Sequence, residues 1–175
     1  MTSKYPNGSG LASGSPIAAW QLQFSGRGPH DPTTGQACAS NVETVFAPNN
    51  DAFNEFFQNF PHWLDSNGEV VLDSIPQDSL DMIILHHIYS NNTNGLGAKL
   101  YVEIENPVCS EQQIIRGSNN PYKMMDGNNF IFAENAQGNV AALSVLTNRF
   151  SIIESPDLAT TDGAIYIINN VLGPF

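Results

Sequence analysis

A run of phenylalanines fenced by two prolines constrains this chain more than any other feature. Between Pro48 and Pro61, residues Ala52, Phe53, Phe56, Phe57 and Phe60 recur at three- and four-residue spacing. That spacing gathers them on one broad face of an α-helix, and a helix with such a face is stable only against a second layer. Asn49 or Asn50 can cap the helix, because a short side-chain oxygen satisfies the first orphan N–H groups, and Asp51 and Glu55 favour its positive end. Pro61 ends it. Just upstream, residues 42–46 are β-branched and aromatic and predict a strand that Pro48 stops.

The rest of the chain supplies the second layer. A second helix is predicted from about Gln77, with Leu80, Ile83, Ile84 and His87 on one side, and it runs into a strand at Ile88 and Tyr89. Beyond that the pattern has period two, over residues 100–104, 130–133, 140–145, 150–153 and 165–168. Turn signals separate these runs at Asp126-Gly127, Gln137-Gly138 and Asp162-Gly163. Residues 106–129 are long for a connection and read as an insertion or a functional loop. Helices early and strands late describe an α+β domain. The 175 residues suit one such domain over 17–175, beginning with a short apolar helix or strand at 17–24 and a loop-like stretch at 25–41. Residues 1–16, rich in Gly, Ser and Pro, bury too little to offset the entropy of ordering and read as a flexible leader.

Six basic residues against 17 acidic ones leave a formal charge of −11. Such a field repels phosphate backbones and anionic lipid, which argues against a nucleic-acid partner. No apolar run approaches the roughly 20 residues of a membrane helix. Cys38 and Cys109 have no Cys-x-x-Cys or Cys-x-x-His spacing, which leaves a disulfide or two inert thiols. A bridge would close a loop of about 70 residues and stabilise the fold by roughly 4 kcal/mol. Acceptor sequons stand at Asn7 and Asn91, and the only lysines are Lys4, Lys99 and Lys123 amid abundant Asn, Ser, Thr and Gly. These features lean towards secretion.

Catalytic signals are sparse. If extended, the adjacent His86 and His87 would point to opposite faces and could not share one ion, so a hydrogen-bonded structural His87 is the expectation. The other histidines, His30 and His62, stand alone. Asp65-Ser66-Asn67-Gly68-Glu69 and Asp126-Gly127-Asn128-Asn129 are rich in oxygen but lack the ligand spacing of a calcium loop. There is no Gly-x-Ser-x-Gly elbow, phosphate loop or His-Glu-x-x-His string, no serine or cysteine nucleophile evident beside a histidine, and no basic neighbour to activate Cys109. The sequence therefore gives no enzyme, no metal site and no cofactor. The ten Phe, two Trp and four Met do allow an apolar groove. Its candidate lining is Phe53, Phe56, Phe57, Phe60, Trp63, Met124 and Met125, since long hydrophobic ligands need aromatic walls and adaptable thioethers.

Two strings are more specific. Thr44-Val45-Phe46-Ala47-Pro48-Asn49-Asn50-Asp51-Ala52-Phe53 resembles the first signature box of the fasciclin-like FAS1 domain family. Gly163-Ala164-Ile165-Tyr166-Ile167-Ile168-Asn169-Asn170-Val171-Leu172-Gly173-Pro174 resembles the second. Between them Ile84-Leu85-His86-His87-Ile88 is similar to the family's Leu-Tyr-His-Val segment, with His87 at the histidine position, His86 where tyrosine is typical and Tyr166 where histidine is typical. The resemblance implies a wedge of two β-sheets, with about seven strands and helices packed on one side. It also implies a secreted or surface-anchored protein that contacts matrix proteins or polysaccharides, some relatives carrying carotenoids instead. Contact residues implied this way are Asp157 and Leu158, matching an Asp-Ile element, together with His86, His87 and Tyr89.

Overall fold

The computed structural model describes residues 27–30, 37–39, 43–90, 99–103, 111–154, 158–160 and 163–175. The leader, the apolar stretch 17–24, Asn7, Asn91, Cys109, Asp157 and the side chains of Cys38 and Leu158 lie outside the described residues, and with them the disulfide and glycosylation expectations.

The first described elements are β1 (Arg27–His30) and β2 (Ala37–Ala39), an antiparallel pair. This corrects the loop-like reading of residues 25–41, where Gly and Pro in the sequence hide a short ladder. Next come β3 (Glu43–Pro48) and helix α1 (Asn50–Phe57). Asn49 is the cap, its Oδ1 accepting the Ala52 N–H at 2.8 Å. The helix stops three residues before Phe60 because Asn59 Nδ2 donates to the terminal carbonyls of Glu55 and Phe56. Pro61–Trp63 then forms a 3₁₀ turn that stacks Phe60 on Trp63, centroids 4.6 Å apart.

Helix α2 (Gln77–His86) runs into β4 (Ile88–Tyr89). Its buried face carries Asp81, Ile83, Leu85 and His86; of the predicted side, Ile83 and His87 are buried and Leu80 is half-buried against the second core, whereas Ile84 is exposed. The helix is covered on its last turn by strands from the far end of the sequence, and that cover selects the inward residues.

The remaining strands are β5 (Lys99–Tyr101), β6 (Glu111–Gln113), β7 (Tyr122–Lys123), β8 (Asn129–Glu134), β9 (Val140–Ser144), β10 (Phe150–Ile152), β11 (Leu158–Thr160) and β12 (Gly163–Ile168). One sheet has the order β11-β12-β3-β4, and a second, an antiparallel meander, the order β10-β9-β8-β7. In the first, β12 pairs with β3 in parallel, Ala164 opposite Thr44 and Ile168 opposite Pro48. The two signature strings therefore lie side by side. Strands β5 and β6 form a parallel pair, so the stretch read as an insertion or functional loop contributes β6 and β7.

Alternation fills the space between the sheets. Phe46 and Tyr166 stack with centroids 5.5 Å apart, and Phe130, Phe132, Leu100 and Met124 join them in one core. Tyr166 also ties in β5: its hydroxyl donates to Leu100 O at 2.8 Å and accepts the Val102 N–H at 3.1 Å. A second core of Phe56, Phe57, Trp63, Ile75, Ile83 and Val171 lies under α1 and α2. Among the described residues no helix is long and apolar enough to cross a membrane.

Candidate functional site

The chemically able side chains converge at the end of α2. The two histidines are not extended: His86 closes the helix and His87 caps it, with their rings 5.9 Å apart. His87 Nδ1 lies 2.7 Å from Ile83 O and must donate to it, so the bare Nε2 accepts the Leu172 N–H at 3.0 Å. Burial pushes its pKa down from 6.5 to about 4, which keeps the ring neutral as both bonds require.

His86 joins a second chain of bonds. Its Nδ1 is 2.5 Å from Asp126 Oδ2, and its Nε2 is 3.0 Å from Ser144 Oγ. With the carboxylate accepting from Nδ1–H, the Ser144 hydroxyl donates to Nε2, and Ser144 Oγ accepts a long bond from the Thr147 N–H at 3.4 Å. Burial alone would raise the Asp126 pKa, but hydrogen bonds from His86 and Asn128 outweigh it and hold the carboxyl below its ordinary value. Sequence reasoning missed this Asp-His-Ser chain. The partners stand 40 and 58 positions from His86, and no local motif marks them.

The order of groups matches a nucleophilic triad, but the setting does not. A catalytic serine must reach a reacting carbonyl beside oxyanion donors, whereas Ser144 and His86 are both fully buried. The chain fastens α2 to the β7–β8 turn and to β9. Asp126 and Asp65 also organise their own turns: Asp65 Oδ1 accepts the N–H groups of Asn67 and Glu69, and Asp126 Oδ1 that of Asn128. Among the described residues no group of three or more His, Cys, Asp or Glu side chains is arranged to hold a metal ion.

The expected contact residues fall in different places. His86, His87 and Tyr89 are buried, so they can support a contact surface only from behind. Leu158 is the first residue of β11, opposite Ile165.

An apolar groove of about 680 Å³ does exist, between α1, α2 and the strands β3 and β4. Of the residues expected to line it, only Phe53 and Phe57 do. Phe56, Phe60 and Trp63 pack in the second core, Met124 packs in the first, and Met125 is bonded through its N–H to Ile88 O. Beside Phe46, Phe53 and Phe57 the walls are aliphatic, among them Val45, Leu72, Leu80 and Ile84. Leu72 is 61% exposed, the most open of these walls.

One family model matches most of the chain. The sequence model of the fasciclin domain matches residues 36–174. Among solved structures, a FAS1 domain pair from the insect cell adhesion molecule fasciclin I is 19% identical, covers 75% of this chain and has a TM-score of 0.42. The match takes in 37% of that chain's length, so this chain spans well under half of it. No curated protein matches the chain.

Proposed function

Because this chain belongs to the fasciclin domain family, we propose that it is a secreted or cell-surface contact module, binding an extracellular protein or polysaccharide without catalysis. The observation that carries the reading is the fate of the reactive groups. His86, His87, Asp126 and Ser144 hold elements together from inside the fold, which leaves the outer surface as the working part. That surface is polar and acidic, a charge balance that suits dispersal and discourages adsorption to polyanions. The test is retention of the full chain on immobilised matrix proteins and cell-wall glycans at varied salt. Saturable retention on one of them is the expected result, and uniform absence of retention rejects the reading.

The apolar groove favours a second reading, a carrier for a carotenoid or another long apolar molecule. Its volume lies within the roughly 300–1,000 Å³ range of small-molecule sites, and its walls are almost wholly hydrocarbon. Protein purified from its native source decides between the two. A visible absorption band and an extractable pigment or lipid support the carrier, and a colourless, lipid-free preparation rejects it.

A further inference from the structure

A second depression, polar where the groove is apolar, lies between α1 and the start of β10. It encloses about 400 Å³ and is lined by Glu55, Asn59, Asn148, Arg149, Phe150 and Asn170, with Phe56 beneath. The Arg149 guanidinium sits 5.5 Å from the centroid of the Phe56 ring. Against its other side runs the backbone of Gly173, whose φ of +56° a side chain would strain. A Cβ there would stand 3.1 Å from Phe56 Cε2 and 3.2 Å from Arg149 Nη1. Residues from α1, the β9–β10 turn and the chain after β12 thus wedge the guanidinium in place.

Its donors are not used. Among the described residues the Arg149 side chain makes no hydrogen bond or ion pair, in contrast to Arg116, which pairs with Glu134 at 2.7 Å. Around it the notch offers both kinds of polar partner. The Asn148 amide can donate, the Glu55 carboxylate can accept, Asn59 keeps its Oδ1 as an acceptor while its Nδ2 is spent on Glu55 O and Phe56 O, and Asn170 donates from Nδ2 to Phe150 O at 3.1 Å while its Oδ1 stays available. At the rim the Phe150 ring is 59% exposed and leaves an apolar face open.

A ligand that fits must carry hydrogen-bond donors and acceptors in close alternation and also one flat apolar face. A pyranose ring has both: vicinal hydroxyls suited to planar guanidinium, amide and carboxylate groups, and a C–H face suited to an aromatic ring. Charge selects further. Within the notch the Glu55 carboxylate offsets the Arg149 charge, so the field of a chain carrying −11 weighs against a uronate or sulfated sugar, whereas a neutral sugar meets no such penalty. We infer that the notch at Arg149 and Phe150 binds a neutral hexose unit of a glycan. This inference rests on the contact-module reading and names the partner's chemistry.

The test uses the full 175-residue chain. Neutral cello-, laminari- and manno-oligosaccharides are titrated by calorimetry and by NMR, with oligogalacturonate as the charged counterpart. At least one neutral series is expected to bind saturably. Arg149→Gln and Phe150→Ser should each weaken that binding by roughly tenfold or more, and Leu72→Ser in the apolar groove should leave it unchanged. Phe150 is exposed and buries little, so its variant keeps the experiment decisive if the arginine variant does not fold. Failure of every neutral sugar to bind at millimolar concentration overturns the inference, as does indifference to both substitutions or a preference for oligogalacturonate. Retention of parent and Phe150→Ser on matrix material, measured in parallel, separates this failure from that of the wider reading. Equal retention of the two removes the notch and keeps the contact module, whereas loss of parent retention with intact sugar binding removes only the broader reading.

Discussion

His87 Nε2 accepts the backbone N–H of Leu172 at 3.0 Å, joining the end of α2 to the closing segment 85 positions later. The bond exists only with a neutral ring whose Nδ1 proton is held by Ile83 O. A second proton would set a donor against the Leu172 N–H inside the core.

The acid side of the stability profile should follow from that bond. Burial lowers the His87 pKa from 6.5 to about 4, so the unfolded chain takes up the proton first. The contribution is complete above pH 6.5 and is lost as pH falls towards about 4, amounting to about 3 kcal/mol for the whole shift. His87→Leu, which cannot titrate, should be less stable at neutral pH but show a flatter profile across this window. Urea unfolding of both proteins at several pH values is the check, and parallel profiles would place the acid sensitivity elsewhere.

Glu43 should act in the opposite sense. It is 1% exposed, and among the described residues neither carboxylate oxygen makes a well-formed hydrogen bond, the Ser90 side chain offering only a weak interaction. Burial raises its pKa from 4.5 to about 8, opposed only in part by the Ser90 side chain, so the folded chain holds the proton. Its contribution is intact below pH 4.5 and is lost as pH climbs towards 8. Glu43→Gln, neutral at every pH, should therefore gain on the parent as pH rises. A stability difference that stays constant from pH 4.5 to pH 8 would contradict this.

Ser144 should behave as a brace. Ser144→Ala leaves His86 Nε2 without its buried partner and should cost about 1–3 kcal/mol. A fluorophosphonate probe should leave the folded protein unlabelled, because the hydroxyl is fully buried. Stoichiometric labelling of the native chain, abolished by Ser144→Ala, would instead make the Asp-His-Ser chain a working triad.

Gly163 should tolerate no side chain. A Cβ there would lie 2.5 Å from the carbonyl oxygen of Glu43, its partner in the parallel β3–β12 pair. The obstacle is backbone and cannot rotate aside, so Gly163→Ala should cost about 3 kcal/mol, at the upper end of overpacking effects. Thermal or urea unfolding measures it, and a loss of a few tenths of a kcal/mol would show that the two strands part easily.

The local parts of this design were legible in the residues themselves. Proline-bounded phenylalanines, an asparagine ahead of them and alternation in the second half predict α1, its cap and β8, β9, β10 and β12, because helix faces, caps and pleats depend on neighbours within a few positions. The paired signature strings predicted one family, and the match over residues 36–174 bears this out. Other features depend on which distant segments meet. Only packing decided that α2 turns His86 inward onto Asp126 and Ser144, or that Glu43 loses its water with only a weak interaction from Ser90 in exchange. Packing likewise added aliphatic residues to the aromatic wall of the groove and wedged Arg149 between Phe56 and Gly173. A side chain's type and periodicity are written along the chain, whereas its desolvation and its partner are properties of the folded interior.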